Sequence, residues 1–573
     1  MSLNPASPPA TDYSTERPLA QAFTPWSMTR LSIAAAIYMT VAFNQSFFHA
    51  LVAAHQAPPL QQALFIFSSG VMVFAVALIM ISLLAFRSTF KLWLILLLLS
   101  GSMAGYFMDH YHAIINREMI QNLMQTDWEE TRELLNFPFL SHFFLFGIIP
   151  AILVALIPVR QSAWLTNTGR QLGAIVLSVA LFLVLVFASY QDYASVFRNN
   201  RQLRYIVAPS GYLYSLTTYA QKSLKSNNTP FEHLGEDAHK GNHWANLSDR
   251  KHVLIMVVGE TARAQNFSLG DYARETNPML SQESLFYFNN VSACGTSTAV
   301  SVPCLFSFYD RAHYDGDRIK HSDNLLDILQ YAGVDVLWRD NNSGCKGVCD
   351  RVNQEDMSTN ADPNLCNSHE CFDMVLLKDL EARIDALTDG GIIILHQKGS
   401  HGPGYFLRSP EAFKHFTPEC HSSELQQCSQ TEISNAYDNT IVYTDYVLSQ
   451  VIAFLKQHEN RYNGAMMYVS DHGESLSEGN LYLHGIPYSI APEEQTHIPL
   501  LLWLSNHYAE EMGIDKSCLE QQTGIEYSHD NVFDTVLDLM DVDTRIRQRE
   551  RSLITPCMHA YHSGPRANDS RKA

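Results

Sequence analysis

The chain has 573 residues and a formal net charge of −19, from 39 Lys and Arg against 58 Asp and Glu. That acidity excludes binding nucleic acid by neutralising phosphates, and the length exceeds one ordinary domain. Composition changes sharply near residue 190, dividing an apolar front third from a more polar remainder that holds all 10 cysteines.

Residues 1–30 form a Pro- and Ser-containing tail expected on the cytoplasmic side. Five apolar stretches follow within residues 31–189, at about Leu31–Ala54, Ala63–Phe86, Leu92–Tyr111, Leu140–Val159 and Leu172–Ser189. Each approaches or exceeds the roughly 20 residues that cross a bilayer as helix. The first is too long for a removable signal and reads as a retained span. Arg17 and Arg30, Arg87 and Lys91, and Arg160 and Arg170 mark the cytoplasmic connections. The connection at Pro58 and Pro59 lacks basic residues and that at Asp127–Glu133 is mostly acidic, so both read as external. An odd number of spans places the C-terminal domain outside. Arg198, Arg201 and Arg204 weigh mildly the other way, but long translocated domains escape the charge rule.

Between the third and fourth spans, Asn122, Thr126 and Glu130 stand four apart and share one face of an amphipathic helix. A solvated face and a site face both fit that stripe. Residues 190–250 mix Arg with Tyr and Ile, as helices in the headgroup layer do, and end in an Asn-, Lys-, His- and Gly-rich linker. From residue 251 to 573, apolar runs at Val253–Val258, Val334–Leu337, Ile392–Leu395, Met466–Val469 and Pro499–Leu502 alternate with helical patterns at Asp323–Tyr331 and Asn435–Leu455. This alternation predicts an α/β domain with a doubly wound, mostly parallel sheet.

The cysteines lie between Cys294 and Cys557, none of them in the spans, which fits an oxidising compartment. Near neighbours suggest Cys294–Cys304, Cys345–Cys349, Cys366–Cys371 and Cys420–Cys428, leaving Cys518 with Cys557; connectivity stays open, as does a structural zinc site at Cys345 and Cys349.

Two apolar runs end in metal-ligand residues: Val257-Val-Gly-Glu260 and Tyr468-Val-Ser-Asp471-His472-Gly-Glu474. In an open parallel sheet, ligands collect beyond the strands' carboxyl ends, so Glu260, Asp471 and His472 should converge. Carboxylate and imidazole suit zinc or manganese, with a position left open for chemistry. The nucleophile candidate is Thr296, after Gly295 in Cys294-Gly-Thr-Ser-Thr. A threonine beside a helix N-terminus faces unsatisfied N–H groups that would hold a phosphoryl group, and a metal would lower its hydroxyl pKa. An ordinary helix cap is the plainer alternative.

Gly259-Glu-Thr-Ala-Arg263, Cys294-Gly-Thr296 with Val302-Pro-Cys304, Arg339-Asp-Asn-Asn-Ser343 with Lys346-Gly-Val348, Lys398-Gly-Ser-His-Gly-Pro403, Asp471-His-Gly-Glu-Ser-Leu476 and Tyr482-Leu-His-Gly485 together resemble the lipid A phosphoethanolamine transferases, a family that includes the mobile colistin resistance enzymes. The resemblance runs from the first span nearly to the C-terminus. It implies a five-span membrane domain and a periplasmic domain of the alkaline phosphatase and sulfatase superfamily. Glu260, Thr296, Asp471 and His472 would bind catalytic zinc, with Thr296 the nucleophile. His401 and His484 would meet the transferred group or a second zinc, Asn342 and Lys346 the phosphoethanolamine, and Asn122, Thr126 and Glu130 the lipid headgroup. The implied donor is phosphatidylethanolamine and the acceptor lipid A, in a monomer of the Gram-negative inner membrane. Another acceptor, such as core oligosaccharide, a glycan or a protein, or glycerol phosphate as the donated group, stays open. A soluble-type sulfatase fits less well, because no Cys or Ser is followed by x-Pro-x-Arg. The chain departs from the family pattern at Ser477-Glu-Gly-Asn480 and at Asn200.

Overall fold

A computed structural model describes residues 24–86, 88–126, 128–160, 163–226, 229–245, 250–359, 362–367 and 370–558; Arg17 and Arg87 lie outside them. The chain divides into two units, one of residues 1–106 and 138–212, the other of residues 107–137 and 213–573.

The first unit is helical. Helices Pro59–Leu83, Phe90–His110, Phe137–Leu156 and Trp164–Ala188 are long and apolar enough to cross a membrane. The first expected span is instead a pair, Met28–Ala42 and Gln45–Ala54, bent by 58°, and makes a fifth if the pair counts as one crossing. Asn44 occupies the break. Its side chain donates to the Met39 and Ala208 carbonyls at 3.0 Å each and accepts from Ala208 N at 2.9 Å, which ties the break to a distant stretch of backbone. Large apolar side chains point outward, Phe67, Leu177 and Phe187 among them, each more than two-thirds exposed at 73, 71 and 75%. In hydrocarbon such a surface is matched to its solvent.

In the second unit, helix α1 (Arg117–Gln125) starts where Asn116 accepts from Met119 N at 2.8 Å and ends as Thr126 turns extended. Helix α2 (Trp128–Leu134) follows. Eight strands build one sheet: β1 (Lys251–Gly259), β2 (Phe286–Ser292), β3 (Asp335–Asp340), β4 (Asn353–Asp356), β5 (Gly390–His396), β6 (Tyr462–Ser470), β7 (His497–Leu504) and β8 (Tyr527–Ser528). Their spatial order is β8-β2-β7-β6-β1-β5-β3-β4. All pairings are parallel except those of β7 with β6 and β2. The five apolar runs are therefore strands; β2, β4 and β8, short or more polar, are visible only in the fold.

Strand β1 shows why the sheet sits in the middle. Val253, Ile255 and Val257 enter one core cluster and Leu254, Met256 and Val258 another, all fully buried. Successive side chains alternate faces, so an uninterrupted apolar run needs cover on both sides. Helix α3 (Thr298–Leu305) and helix α4 (Leu325–Tyr331) give Val302, Leu305, Leu325 and Leu329 to the second cluster. Helix α5 (Gln430–Gln457), opened by a Ser429–Glu432 capping box, gives Ile433, Ile441, Leu448 and Leu455 to the first. Each fully buried aliphatic side chain contributes about 1.5–3 kcal/mol.

Candidate active site

Register brings the site together. Strands β1 and β6 are parallel neighbours with Gly259 opposite Ser470, so Glu260 and Asp471 leave the same carboxyl edge side by side. Strand β2 runs in the same sense, because β7 is antiparallel to both β2 and β6, and it delivers Cys294-Gly295-Thr296 to that edge. Strands β3 and β5 pair Asp340 with His396 and bring Asn342 and the loop of His401.

Glu260, Asp471 and His472 are all buried, with one ligand atom from each within 4.8 Å of the others. His472 Nε2 stands 3.4 Å from Glu260 Oε1 and 3.4 Å from Asp471 Oδ2. The other ring nitrogen, Nδ1, donates to the Gly473 carbonyl at 2.9 Å, which leaves a lone pair on Nε2. Burial, and then the neighbouring His484, push the His472 imidazole down to about 3, so it is neutral at pH 7. Three lone-pair atoms thus face one another, and neither His472 Nε2 nor Asp471 Oδ2 has a hydrogen-bond partner. Burial drives Asp471 well above the usual carboxylate range, with the Glu260 charge pushing the same way. A divalent cation would resolve this conflict. Tetrahedral ligands about 2.1 Å from one ion stand roughly 3.4 Å apart, so the donor set fits zinc.

Hydrogen bonds to the other carboxylate oxygens hold both side chains in place. Asp471 Oδ1 accepts from the Thr261 and His472 backbone N–H groups at 3.2 and 2.7 Å. Glu260 Oε2 accepts from Asn342 Nδ2 at 2.6 Å, and the Thr298 hydroxyl stands 3.0 Å from Oε2 and 3.2 Å from Oε1. Asn342 also lies 3.3 Å from His396 Nε2, whose Nδ1 pairs with Asp340 at 2.9 Å. Against its burial, the His396 imidazole and hydrogen bonds from Trp338 and Asn342 hold Asp340 down to about 2. The Asn342 side chain is thus placed to orient Glu260. Asp340, His396 and Thr298 escape a reading of motifs, although Asp340-Asn-Asn at a strand end and the second threonine of Gly295-Thr-Ser-Thr298 carry the signal.

Thr296 is buried and precedes Ser297, the N-cap of α3. Its hydroxyl donates to the Ile486 carbonyl at 2.7 Å, and its own carbonyl accepts from Gly485 N at 2.7 Å, which ties it to the turn after His484. Of the two threonines, Thr298 is the one that donates to Glu260. A Cβ at Gly295 would stand 2.7 Å from Val300 Cγ1 and 2.8 Å from Ser301 Oγ, so only glycine lets the turn close on α3. The Cys294–Cys304 disulfide joins this turn to the helix's last turn. The other bridges are Cys345–Cys349, Cys366–Cys371, Cys420–Cys428 and Cys518–Cys557, the near-neighbour pairs suggested by spacing. With Cys345 and Cys349 so joined, their thiolates do not form a zinc site.

His484 lies beside His472 with ring centres 4.5 Å apart and planes tilted by 46°, and His401 meets His484 edge-on at 5.5 Å. Glu474, fully buried, holds His484 Nδ1 at 3.3 Å. The His401 loop is drawn in by Ser400 N, which donates to the Glu260 carbonyl at 3.0 Å. Lys346 Nζ donates to the Ser343 carbonyl and hydroxyl at 2.8 and 2.7 Å and to the Gln125 carbonyl at 3.3 Å. Asn122 lies on α1, and the Thr126 hydroxyl just beyond donates back to its carbonyl at 2.9 Å. Glu130 is on α2 and its side chain lies outside the described residues; the single helical face expected for Asn122, Thr126 and Glu130 is broken, because α1 ends where Thr126 turns extended.

Comparison with known proteins adds to this geometry. The Sulfatase family matches residues 252–542, and the family described as Phosphoethanolamine transferase EptA/EptB matches residues 73–224. Phosphoethanolamine transferase EptA of Salmonella typhimurium is 40% identical over 91% of this chain and 95% of its own length. Phosphatidylethanolamine transferase Mcr-1 of Escherichia coli is 38% identical over 88% of this chain and 94% of its own. The solved structure of the integral membrane lipooligosaccharide phosphoethanolamine transferase A from Neisseria meningitidis superposes with a TM-score of 0.90 at 34% identity, over 93% of this chain and all of that one. The chain belongs to the phosphoethanolamine transferase family, with a catalytic domain of the alkaline phosphatase and sulfatase fold.

Proposed function

We propose that the chain transfers phosphoethanolamine from phosphatidylethanolamine to a phosphate of lipid A, through a covalent intermediate on Thr296, at the periplasmic face of a Gram-negative inner membrane. The observation that carries this reading is the buried meeting of Glu260, Asp471 and His472 at the sheet edge to which β2 also brings Thr296. Bound zinc would supply Lewis-acid stabilisation of the phosphoryl charge and a lowered hydroxyl pKa.

In the first step the Thr296 oxygen attacks phosphorus, the bond to the glycerol oxygen breaks, and the hydroxyl proton ends on the departing diacylglycerol. In the second, an oxygen of a lipid A phosphate attacks the same phosphorus, the Thr296–phosphorus bond breaks, and the threonine oxygen recovers a proton. His401 and His484, whose rings lie near one another and near His472, hold the phosphoryl oxygens in this reading. The lysine at 346 attracts the phosphate, and Asn122, Thr126 and Glu130 receive the headgroup. Five disulfides in the catalytic unit support an oxidising compartment. Both lipids present headgroups at one interface, which accounts for a membrane-anchored enzyme.

Expression in a Gram-negative host followed by lipid A mass measurement tests the reading. The wild type adds one phosphoethanolamine, Thr296→Ala adds none, and polymyxin binding falls only with the wild type, because the added amine masks negative phosphate. Addition that survives Thr296→Ala removes this residue from the mechanism. No addition by the wild type, with labelled phosphoethanolamine found elsewhere, moves the acceptor to core oligosaccharide, a glycan or a protein.

A further inference from the structure

Arg408 is among the most deeply buried cations of the second unit, its side chain 1% exposed, and it plays no part in the chemistry above. Three of its contacts point in different directions. Nε donates to the His401 carbonyl at 2.7 Å. The terminal nitrogens meet two carboxylates: NH2 bonds both oxygens of Glu133 at 2.7 and 2.8 Å, and NH1 bonds Glu370, which is 5% exposed. Glu133 belongs to α2 and His401 to the loop after β5, so one guanidinium bonds two residues 268 positions apart in the chain. Burial pushes Glu370 up to about 7, with Arg408 opposing, as expected where two carboxylates share one cation.

The joined segment touches the site elsewhere as well. On α1, Gln121 Nε2 donates to the Ala299 carbonyl of α3 at 3.1 Å, and the Gln125 carbonyl accepts from Lys346. Met119 Cε stands 2.7 Å from where a Cβ at Gly485, next to His484, would be. Helices α1 and α2 therefore meet the nucleophile's helix, the Lys346 loop, the His484 turn and, through Arg408, the His401 loop. Gly404 confirms how tightly the last contact is built: a Cβ there would lie 2.9 Å from Glu133 Oε2, although its φ of −85° suits alanine.

We propose that Arg408 is a positioning residue that fastens α2 to the His401 loop, so that α1, α2 and the site histidines are set as one body for a lipid donor. Arginine suits the task because its planar fork engages a carboxylate at two points while Nε reaches a third acceptor; lysine offers a point charge. The lipid donor comes from the function proposed above.

The full-length protein in detergent tests this with Glu133→Gln, Gly404→Ala and Arg408→Lys. Two of these leave the arginine in place, so loss of folding in the third does not decide the outcome. Hydrogen exchange should rise together in residues 128–134 and 401–408, by about tenfold or more, while β1 stays protected. Turnover of phosphatidylethanolamine should fall about tenfold more than release of nitrophenolate from the p-nitrophenyl ester of phosphoethanolamine, a water-soluble donor. Exchange that rises in 128–134 alone or in neither segment overturns the proposal, as does an equal loss with both donors. A wild type that cleaves the soluble ester but not phosphatidylethanolamine overturns the lipid-donor reading instead, and the exchange result still judges the clamp.

Discussion

The two units use apolar side chains in opposite ways. In the helical unit Leu177 and Phe187 face outward, 71 and 75% exposed, while Asn44 and Ser102 are buried. In the sheet unit Val253 to Val258 are fully buried and the polar residues collect at the carboxyl edge. Both have long apolar runs, but hydrocarbon wets the first and protein covers the second. A buried polar group also means different things in each. Asn44 is fully bonded to the Met39 and Ala208 backbone, whereas Asp471 Oδ2 and His472 Nε2 are left without a hydrogen-bond partner where a cation would complete them.

The largest effect should come from removing a charge from that edge. Glu260→Gln and Asp471→Asn should lower lipid A modification by at least about 10³-fold, since several kcal/mol of charge stabilisation is lost. Metal analysis of the purified protein should show zinc falling in parallel; full zinc with no activity would mean that these carboxylates serve another purpose. The contrast in apolar packing comes next. Ile255→Ala should cost about 2–5 kcal/mol of stability, and Leu177→Ala, on the outward face, well under 1 kcal/mol, both read from thermal unfolding in detergent. Similar losses at both positions would show that the helical unit also buries that face.

Asn342→Ala and Thr298→Ala should weaken zinc affinity about 10- to 100-fold by freeing Glu260, measured by chelator competition without any turnover assay. An unchanged affinity, with a raised KM for the donor, would return Asn342 to substrate binding. The smallest effect is a pH slope. Glu370 is raised in the folded state to about 7, so between its unfolded value and 7 the folded chain keeps a proton that the unfolded chain has lost. The stability it contributes is complete at low pH and is lost as pH rises through 7. Unfolding midpoints at pH 5 and 8 should therefore differ less in Glu370→Gln than in the wild type.

Much of this was legible in the order of residues. The spans, the β1, β3, β5, β6 and β7 runs and the trio Glu260, Asp471 and His472 rest on local rules: hydrocarbon thickness, two-sided burial and ligands beyond strand ends. The bend at Asn44 was not legible, because Leu31–Ala54 reads as one apolar stretch and the break depends on an Ala208 backbone far along the chain. Strand β7 gave away its place but not its antiparallel direction, which is set by the neighbours it pairs with.

By itself the sequence determined which residues are apolar enough for lipid or core, which cysteines stand close enough to pair, and which carboxylates and histidines follow strands. Tertiary structure decided that Thr298 reaches both oxygens of Glu260, that Asn342 holds one of them, and that Arg408 reaches both Glu133 and the His401 loop. The reason is physical: periodicity and burial are properties of neighbours in the chain. Hydrogen bonds and ion pairs between elements hundreds of residues apart depend on register and packing, which no local pattern records.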